Sequence, residues 1–336
     1  MLRKLAVAAA LAALVPVAQA QETKVLFNSF IQPKHPFNTL ILNLWLADVT
    51  KATGGRVRFE VPPSSLAAPP QQYDSTVKGV MDAAYQFHGF LADRVKLAQV
   101  AHLPWGSTNP VSNSRALWLT HEKFFATADE YKDVHLLTLF AALPGTTFSM
   151  KEPIRSLKDL KGLKMYGLPG IPARVLELAG AAVVAQPAVR SHEVISSGTV
   201  DAFSGYSVMD AAAFHTLQYA KSVTDLPGNL SVPSFAMFIN KKKWQSIPQQ
   251  DRDIITRMAG GGFAKYLAPY NELEDNARKE AVSKGVRIAM ASDDFVAELR
   301  RIAQPLEQAW LADAQKLGVD GKAALAFYRE ESKKAP

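Results

Sequence analysis

Two spacings of apolar residues alternate along the chain, and each switch marks a change of element. Lys24 to Asn28 reads as a first strand. Phe37, Leu40, Ile41 and Leu44 recur at i, i+3, i+4 and i+7, which is one face of an α-helix, and Gly54-Gly55 stops that helix. Val57, Phe59 and Val61 alternate with charged residues at the period of a strand. Pro62-Pro63-Ser64-Ser65 and Pro69-Pro70 make the following segment a loop. A helix from about Gln72 leads to Ala83-Ala84-Tyr85-Gln86-Phe87, read as a buried strand. The rhythm predicts an α/β fold with parallel-rich sheets and helices on both faces.

The same rhythm restarts near Thr146. Ser156 and Asp159 suit the N-cap and third position of a short helix. Gly162 to Tyr166 reads as a strand, Pro172 to Leu178 as a helix, Ala182 to Ala185 as a strand, Val189 to Ser196 as a helix and Val200 to Phe203 as a strand. These make a second α/β unit. Ser234 to Ile239 is a strand positioned to return to the first. A long helical stretch from about Gln249 to Ser283 follows, with kink points at Gly260-Gly261-Gly262 and Pro269. Val286 to Met290 is then a strand, and Asp293 to Leu317 a helix bent near Pro305.

The start of the chain changes the compartment. Arg3 and Lys4 precede an apolar run from Leu5 to Val17, and Ala18-Gln19-Ala20 follows. That is the layout of a secretory signal with cleavage after Ala20, and its apolar run falls short of the roughly 20 residues of a membrane span. A periplasmic, soluble mature protein is expected. The 336 residues include no cysteine, so an exported fold here rests on its apolar core and not on disulfides. The formal net charge is +7, with the basic residues scattered. Lys241-Lys242-Lys243 is the one dense run and reads as a solvated helix start. A nucleic-acid footprint requires a basic stripe with interleaved aromatics, and none is present.

Catalytic signatures are missing. The seven histidines include no H-E-x-x-H pair, and thiolate metal sites are impossible without cysteine. Ser204-Gly205 lacks the earlier glycine of a nucleophile elbow. No phosphate-cradling glycine loop occurs. Neither a cofactor, a metal nor a catalytic residue is assigned, and reversible binding suits such a chain better than turnover.

The run Pro153-Ile154-Arg155-Ser156-Leu157-Lys158-Asp159-Leu160-Lys161-Gly162-Leu163-Lys164-Met165 resembles the signature of TRAP-type periplasmic solute receptors of the C4-dicarboxylate-receptor type. Val57 to Ser64, Leu103-Pro104-Trp105, Ser197-Gly198-Thr199-Val200-Asp201, and Asn240 to Trp244 with Ile247-Pro248 resemble further family stretches in the same order. The resemblance covers nearly the whole mature chain. It implies two lobes with a ligand crevice between them: residues 21–143 with 230–260 in the first, 144–229 with 284–336 in the second, and a helix over 249–283 spanning both. It also implies capture of a small organic acid, delivered to the small and large membrane subunits of an ion-gradient-driven permease.

One departure bears on the ligand. Family receptors place an arginine after the K-[IM] pair, where its planar fork grips a carboxylate; here that position is Tyr166. Two readings follow. In one, the acid clamp moves to Arg190, with Tyr166 and Thr147 assisting. In the other, the ligand is aromatic or neutral, and Tyr166, Phe203, Tyr206, Phe87 and Phe235 form an aromatic slot with polar tips. His88, at the end of its strand, is a further contact candidate, with Trp105 and Asn28 behind it. A periplasmic hydrolase and a ligand sensor are the alternatives of other classes.

Overall fold

The computed structural model describes residues 22–335; the expected signal segment and its cleavage point lie outside the described residues. Strands β1 (Thr23–Asn28), β2 (Val57–Glu60), β3 (Ala83–Phe87) and β4 (Val134–Ala141) come first. Then come β5 (Thr147–Ser149), β6 (Lys164–Gly167), β7 (Ala182–Ala185), β8 (Ala202–Ser204) and β9 (Ser222–Asp225), followed by β10 (Ser234–Asn240) and β11 (Arg287–Met290). They form two sheets, of order β2-β1-β3-β10-β4 and β11-β9-β5-β8-β6-β7. The protein is thus a mixed α/β molecule with two sheet-based units.

In each sheet the strand that comes directly from a strand of the other unit is the antiparallel one. β10 runs antiparallel to β3 and β4, and β5 runs antiparallel to β8 and β9, whereas β1–β2, β1–β3, β6–β7, β6–β8 and β9–β11 are parallel. The topology has a spatial reason. Open α/β sheets leave a crevice at the carboxyl ends of their parallel strands. A chain crossing that crevice joins the opposite sheet at that same end and must run the other way. The crossings at 142–146 and 226–233 therefore carry the first residues of β5 and β10 to the crevice.

A third crossing is helical. Gln249–Met258 packs near Asn43–Ala52 of the first unit, the tight turns of Gly260–Leu267 lie against β4, and Pro269–Ser283 packs on Val208–Ala213 of the second. Trp45 Nε1 donates to the Met258 carbonyl at 3.0 Å and anchors the first of these segments. The Gly260-Gly261-Gly262 and Pro269 positions separate the three pieces. The last helix, Gly321–Glu331, packs on Pro110–Thr120. The C-terminus is therefore with the first unit, not with the second where the sequence reading put it. Tyr328, Leu325 and Ala324 are the buried residues that hold it there.

The first helix differs from its expected face. Phe37–Leu42 is a wide π-turn before the α-helix Asn43–Ala52. The extra residue in that turn rotates the stripe, so Phe37, Ile41, Leu42, Trp45 and Val49 are buried while Leu40 and Leu44 face solvent. Among the described residues no helix is long and apolar enough to cross a membrane.

Candidate functional site

The crevice ends of the first sheet are built from aromatic residues. Side chains alternate along a strand, so Tyr85 and Phe87 of β3 point to one face while Gln86 and His88 point to the other. Phe140 near the end of β4 and Phe235 at the start of β10 join the first pair. Phe140 stacks between Phe37 (5.3 Å, 7°) and Phe235 (5.1 Å, 14°). Phe30 meets Tyr85 at 4.8 Å, and Phe87 meets Phe235 at 5.6 Å. The second unit contributes Leu168 after β6, Ala188, Tyr206 after β8, Asp210 from the helix Val208–Ala213 and Phe214 just after that helix. Together these residues, with Tyr270 of the crossing helix, line a narrow cavity of about 60 Å³. Apolar contacts continue around it from one unit to the other.

The units touch at its rim. A side-chain carbon built on Gly89 of the first unit would collide with the Pro169 carbonyl of the second and with the Phe87 ring, and one on Gly170 (φ 88°) would stand 3.2 Å from the Gly89 Cα. Two glycines thus let the backbones meet where no larger residue fits.

The cavity's polar groups are few and unequal. Ser29 donates to Asn38 Oδ1 (2.8 Å), so the 2.8 Å contact between Ser29 and Tyr85 uses the Tyr85 proton. Thr216 donates to the Ala211 carbonyl (3.1 Å), so Tyr206 likewise gives its proton to Thr216 (3.1 Å). Burial pushes both phenols up, out of reach of ionisation. His35 differs. Its Nδ1 accepts from the Phe37 N–H at 3.2 Å, which leaves the ring proton on Nε2. That Nε2 is buried, has no hydrogen-bond partner, and lies 3.4 Å from Asp210 Oδ1 across the crevice. Asp210 Oδ2 is occupied by the Ser207 hydroxyl (2.9 Å) and backbone N–H (3.4 Å) in the capping box of its helix.

Behind the aromatic wall stand two buried histidines, His88 and His102, with the half-buried His121 beyond them. His102 stacks on Phe87 (5.0 Å, 23°) and its Nε2 accepts from the Ser234 N–H (3.1 Å). His88 lies 2.8 Å from both the Ser234 hydroxyl and the Tyr131 hydroxyl. Burial pushes His102 down to about 3 and His121, which packs on Tyr131, down to about 4. His88 falls well below its ordinary value for the same reason, with His102 and His121 adding to it.

The residues chosen from sequence divide accordingly. Phe87, Tyr206 and Phe235 line the cavity. His88 lies on the rear face of β3, engaged with Ser234 and Tyr131. Tyr166 is fully buried one layer below, 6.0 Å from the Tyr206 ring, with its hydroxyl donating to the Gln186 carbonyl at 2.8 Å. Phe203 is stacked on Phe148 within the second sheet (4.5 Å, 11°), and Thr147 meets Ser204 at 3.2 Å inside the same sheet. Arg190 is a correction: it is exposed and forked onto Glu193 at 2.7 to 3.0 Å, because the turn at 188–190 directs it outward. Trp105 sits under Arg300 (4.4 Å), and Asn28 is tied to Gln72 (2.6 Å); neither lines the cavity. His35, Asp210, Phe214 and Tyr270 were not singled out. Only the Tyr206 and Phe87 neighbourhoods carried a signal, since an isolated histidine after a strand and an aspartate at a helix start look like ordinary capping residues. Among the described residues no group of three or more histidine, aspartate or glutamate side chains is placed to hold a metal ion.

Comparison with known proteins gives three findings. The model for bacterial extracellular solute-binding proteins, family 7, matches residues 27–313. A Comamonas testosteroni protein named outer membrane transporter protein TsaT is 48% identical over 330 residues, covering 98% of each chain. Among solved structures, a TRAP periplasmic solute-binding protein from Bordetella bronchiseptica with bound (R)- and (S)-mandelate superposes with a TM-score of 0.89 at 30% identity, over 93% of this chain and 99% of that one. One from Rhodoferax ferrireducens with copurified benzoate has a TM-score of 0.84 at 26% identity, over 92% and 97%.

Proposed function

The chain belongs to the bacterial extracellular solute-binding proteins of family 7 and is a TRAP solute-binding receptor, and on that premise we propose that its ligand is an aromatic organic acid held in the crevice between the two units. One observation carries the reading: the cavity is walled by Phe30, Phe37, Phe87, Phe140, Phe235 and Phe214, yet holds an unpartnered buried donor in His35. Flat rings bury a large apolar area in such a slot. The proteins that resemble it with mandelate and benzoate bound support the same class.

The lobes of this proposal are the sheet of β1–β4 with β10 and the sheet of β5–β9 with β11. The crossings at 142–146, 226–233 and 249–283 serve as the hinge. Ligand contacts with both units favour the closed arrangement, and this differential affinity drives closure. His35 meets the acid group, and Phe87, Tyr206 and Phe235 meet the ring. Tyr166 supports Tyr206 from below and does not replace a carboxylate-binding arginine. The receptor works in the periplasm and delivers its ligand to small and large TRAP membrane subunits.

A thermal-shift screen tests this. Benzoate and mandelate, each at about 100 times Kd, add about 2.7 kcal/mol of stability and raise Tm. Recovered ligand is chemically unchanged. Succinate raising Tm while both aromatic acids leave it in place overturns the proposal.

A further inference from the structure

The polar end of the cavity pairs one donor with one acceptor. His35 Nε2 carries a proton and has no partner, and Asp210 Oδ1 takes no hydrogen bond among the described residues. The two atoms are 3.4 Å apart but not aligned to bond each other. They belong to opposite units, so whatever joins them also bridges the crevice. An acid group alone satisfies only half of this pair. Its oxygens accept from His35, and then stand against the Asp210 carboxylate with no proton between them, which is unfavourable in a buried site.

A ligand with a hydroxyl beside its acid group satisfies both halves. The hydroxyl donates to Asp210 Oδ1 while a carboxylate oxygen accepts from His35 Nε2–H. Adjacent donor and acceptor on the ligand then match adjacent acceptor and donor on the protein. Resting on the aromatic-acid reading above, we infer that Asp210 is the specificity-determining residue of the receptor and that it selects hydroxylated aromatic acids, with the hydroxyl on the carbon next to the carboxylate. The helix geometry supports this division of the carboxyl group. Oδ2 is held by Ser207 in the capping box, so Oδ1 is fixed toward the cavity and cannot turn away from an unwelcome anion.

The selection has the form of sites built to hydrogen-bond a substrate hydroxyl. These reject the analogue lacking it, because their own buried groups are left unpaired. Aromatic burial contributes equally to both ligands and so sets affinity without setting the preference.

The test is isothermal titration of the full mature protein with mandelate and with phenylacetate, which lacks only the hydroxyl. The wild type binds mandelate more tightly by at least roughly tenfold. Asp210→Asn keeps an oxygen for the Ser207 cap and turns the free acceptor into a donor. In that variant the ratio falls to within about twofold of one, and phenylacetate binds as tightly as before or more tightly, since its carboxylate now meets an N–H. Far-UV circular dichroism and Tm of the variant establish that the helix at 208–213 is retained. Should Asp210→Asn unfold, Asp210→Ser, which keeps a small capping hydroxyl, is measured in its place. Equal wild-type affinity for the two acids, or a preference that survives substitution of Asp210, overturns the inference and leaves the aromatic-acid reading standing. If neither acid binds the wild type, that reading fails, and the inference with it.

Discussion

Acid should weaken this protein through the histidines behind the ligand cavity. His102 and His121 stay neutral in the folded chain down to about 3 and about 4 respectively. In the unfolded chain an imidazole takes up its proton near 6.5. The unfolded state therefore binds more protons over the window between those values, and stability falls as pH falls through it. Between pH 7.5 and pH 5.0 each such histidine costs about 2 kcal/mol, so the two together cost about 4 kcal/mol. His88 is shifted in the same direction and adds to the loss. Glu130, whose carboxyl burial pushes up, acts with the opposite sign. A loss of that size is a large share of the 5–15 kcal/mol typical of a folded domain. Urea unfolding followed by circular dichroism at the two pH values measures the total. His102→Gln isolates one contribution, because the glutamine oxygen can accept from the Ser234 N–H that His102 Nε2 now receives at 3.1 Å, and glutamine does not titrate. The drop between pH 7.5 and 5.0 should shrink by about 2 kcal/mol in that variant. A variant that loses as much stability as the wild type refutes the reasoning. Since His102 stacks on Phe87 of the cavity wall and stays neutral in the folded chain throughout this range, it should make no contribution to the pH dependence of ligand affinity between pH 7.5 and 5.0.

Further outcomes follow from the geometry. Arg190→Ala should leave aromatic-acid affinity unchanged by calorimetry and leave the urea midpoint where it is, as exposed i,i+3 pairs contribute little. Tyr166→Phe removes the hydrogen bond to the Gln186 carbonyl and should cost about 1 kcal/mol in urea unfolding, with ligand affinity held within about twofold because the cavity wall is untouched. Phe140→Ala removes the ring stacked between Phe37 and Phe235 and should cost about 3–5 kcal/mol, together with a clear loss of ligand affinity. Gly89→Ala places a methyl against Pro169 and Phe87; small-angle scattering should then show a larger radius of gyration in the presence of ligand, and affinity should fall at least roughly tenfold.

The linear chain by itself determined the α/β rhythm, the return of residues 234–239 to the first unit and the breaks in the crossing helix. Each of these depends on local chemistry: strand and helix periodicities, and glycine or proline where the backbone bends. The family signature at 153–165 was legible for the same reason, as a contiguous run. What only the tertiary structure decided is which side chains face the ligand. Alternation along β3 makes either Tyr85 and Phe87 or Gln86 and His88 the crevice pair, and the packing of Ala84 on one core and Tyr85 on the other settles it. The π-turn at 37–42 rotated a helix face by an amount no hydrophobic count reveals. His35 and Asp210 lie far apart in sequence and come within 3.4 Å of each other only when two sheets meet across a gap. Arg190 lies outside the cavity for the same reason, since the direction of a side chain at the start of a helix is set by the turn before it and by the nearest partner, here Glu193. Composition supplied the aromatic residues; the crossing of the chain between two sheets brought them around one cavity.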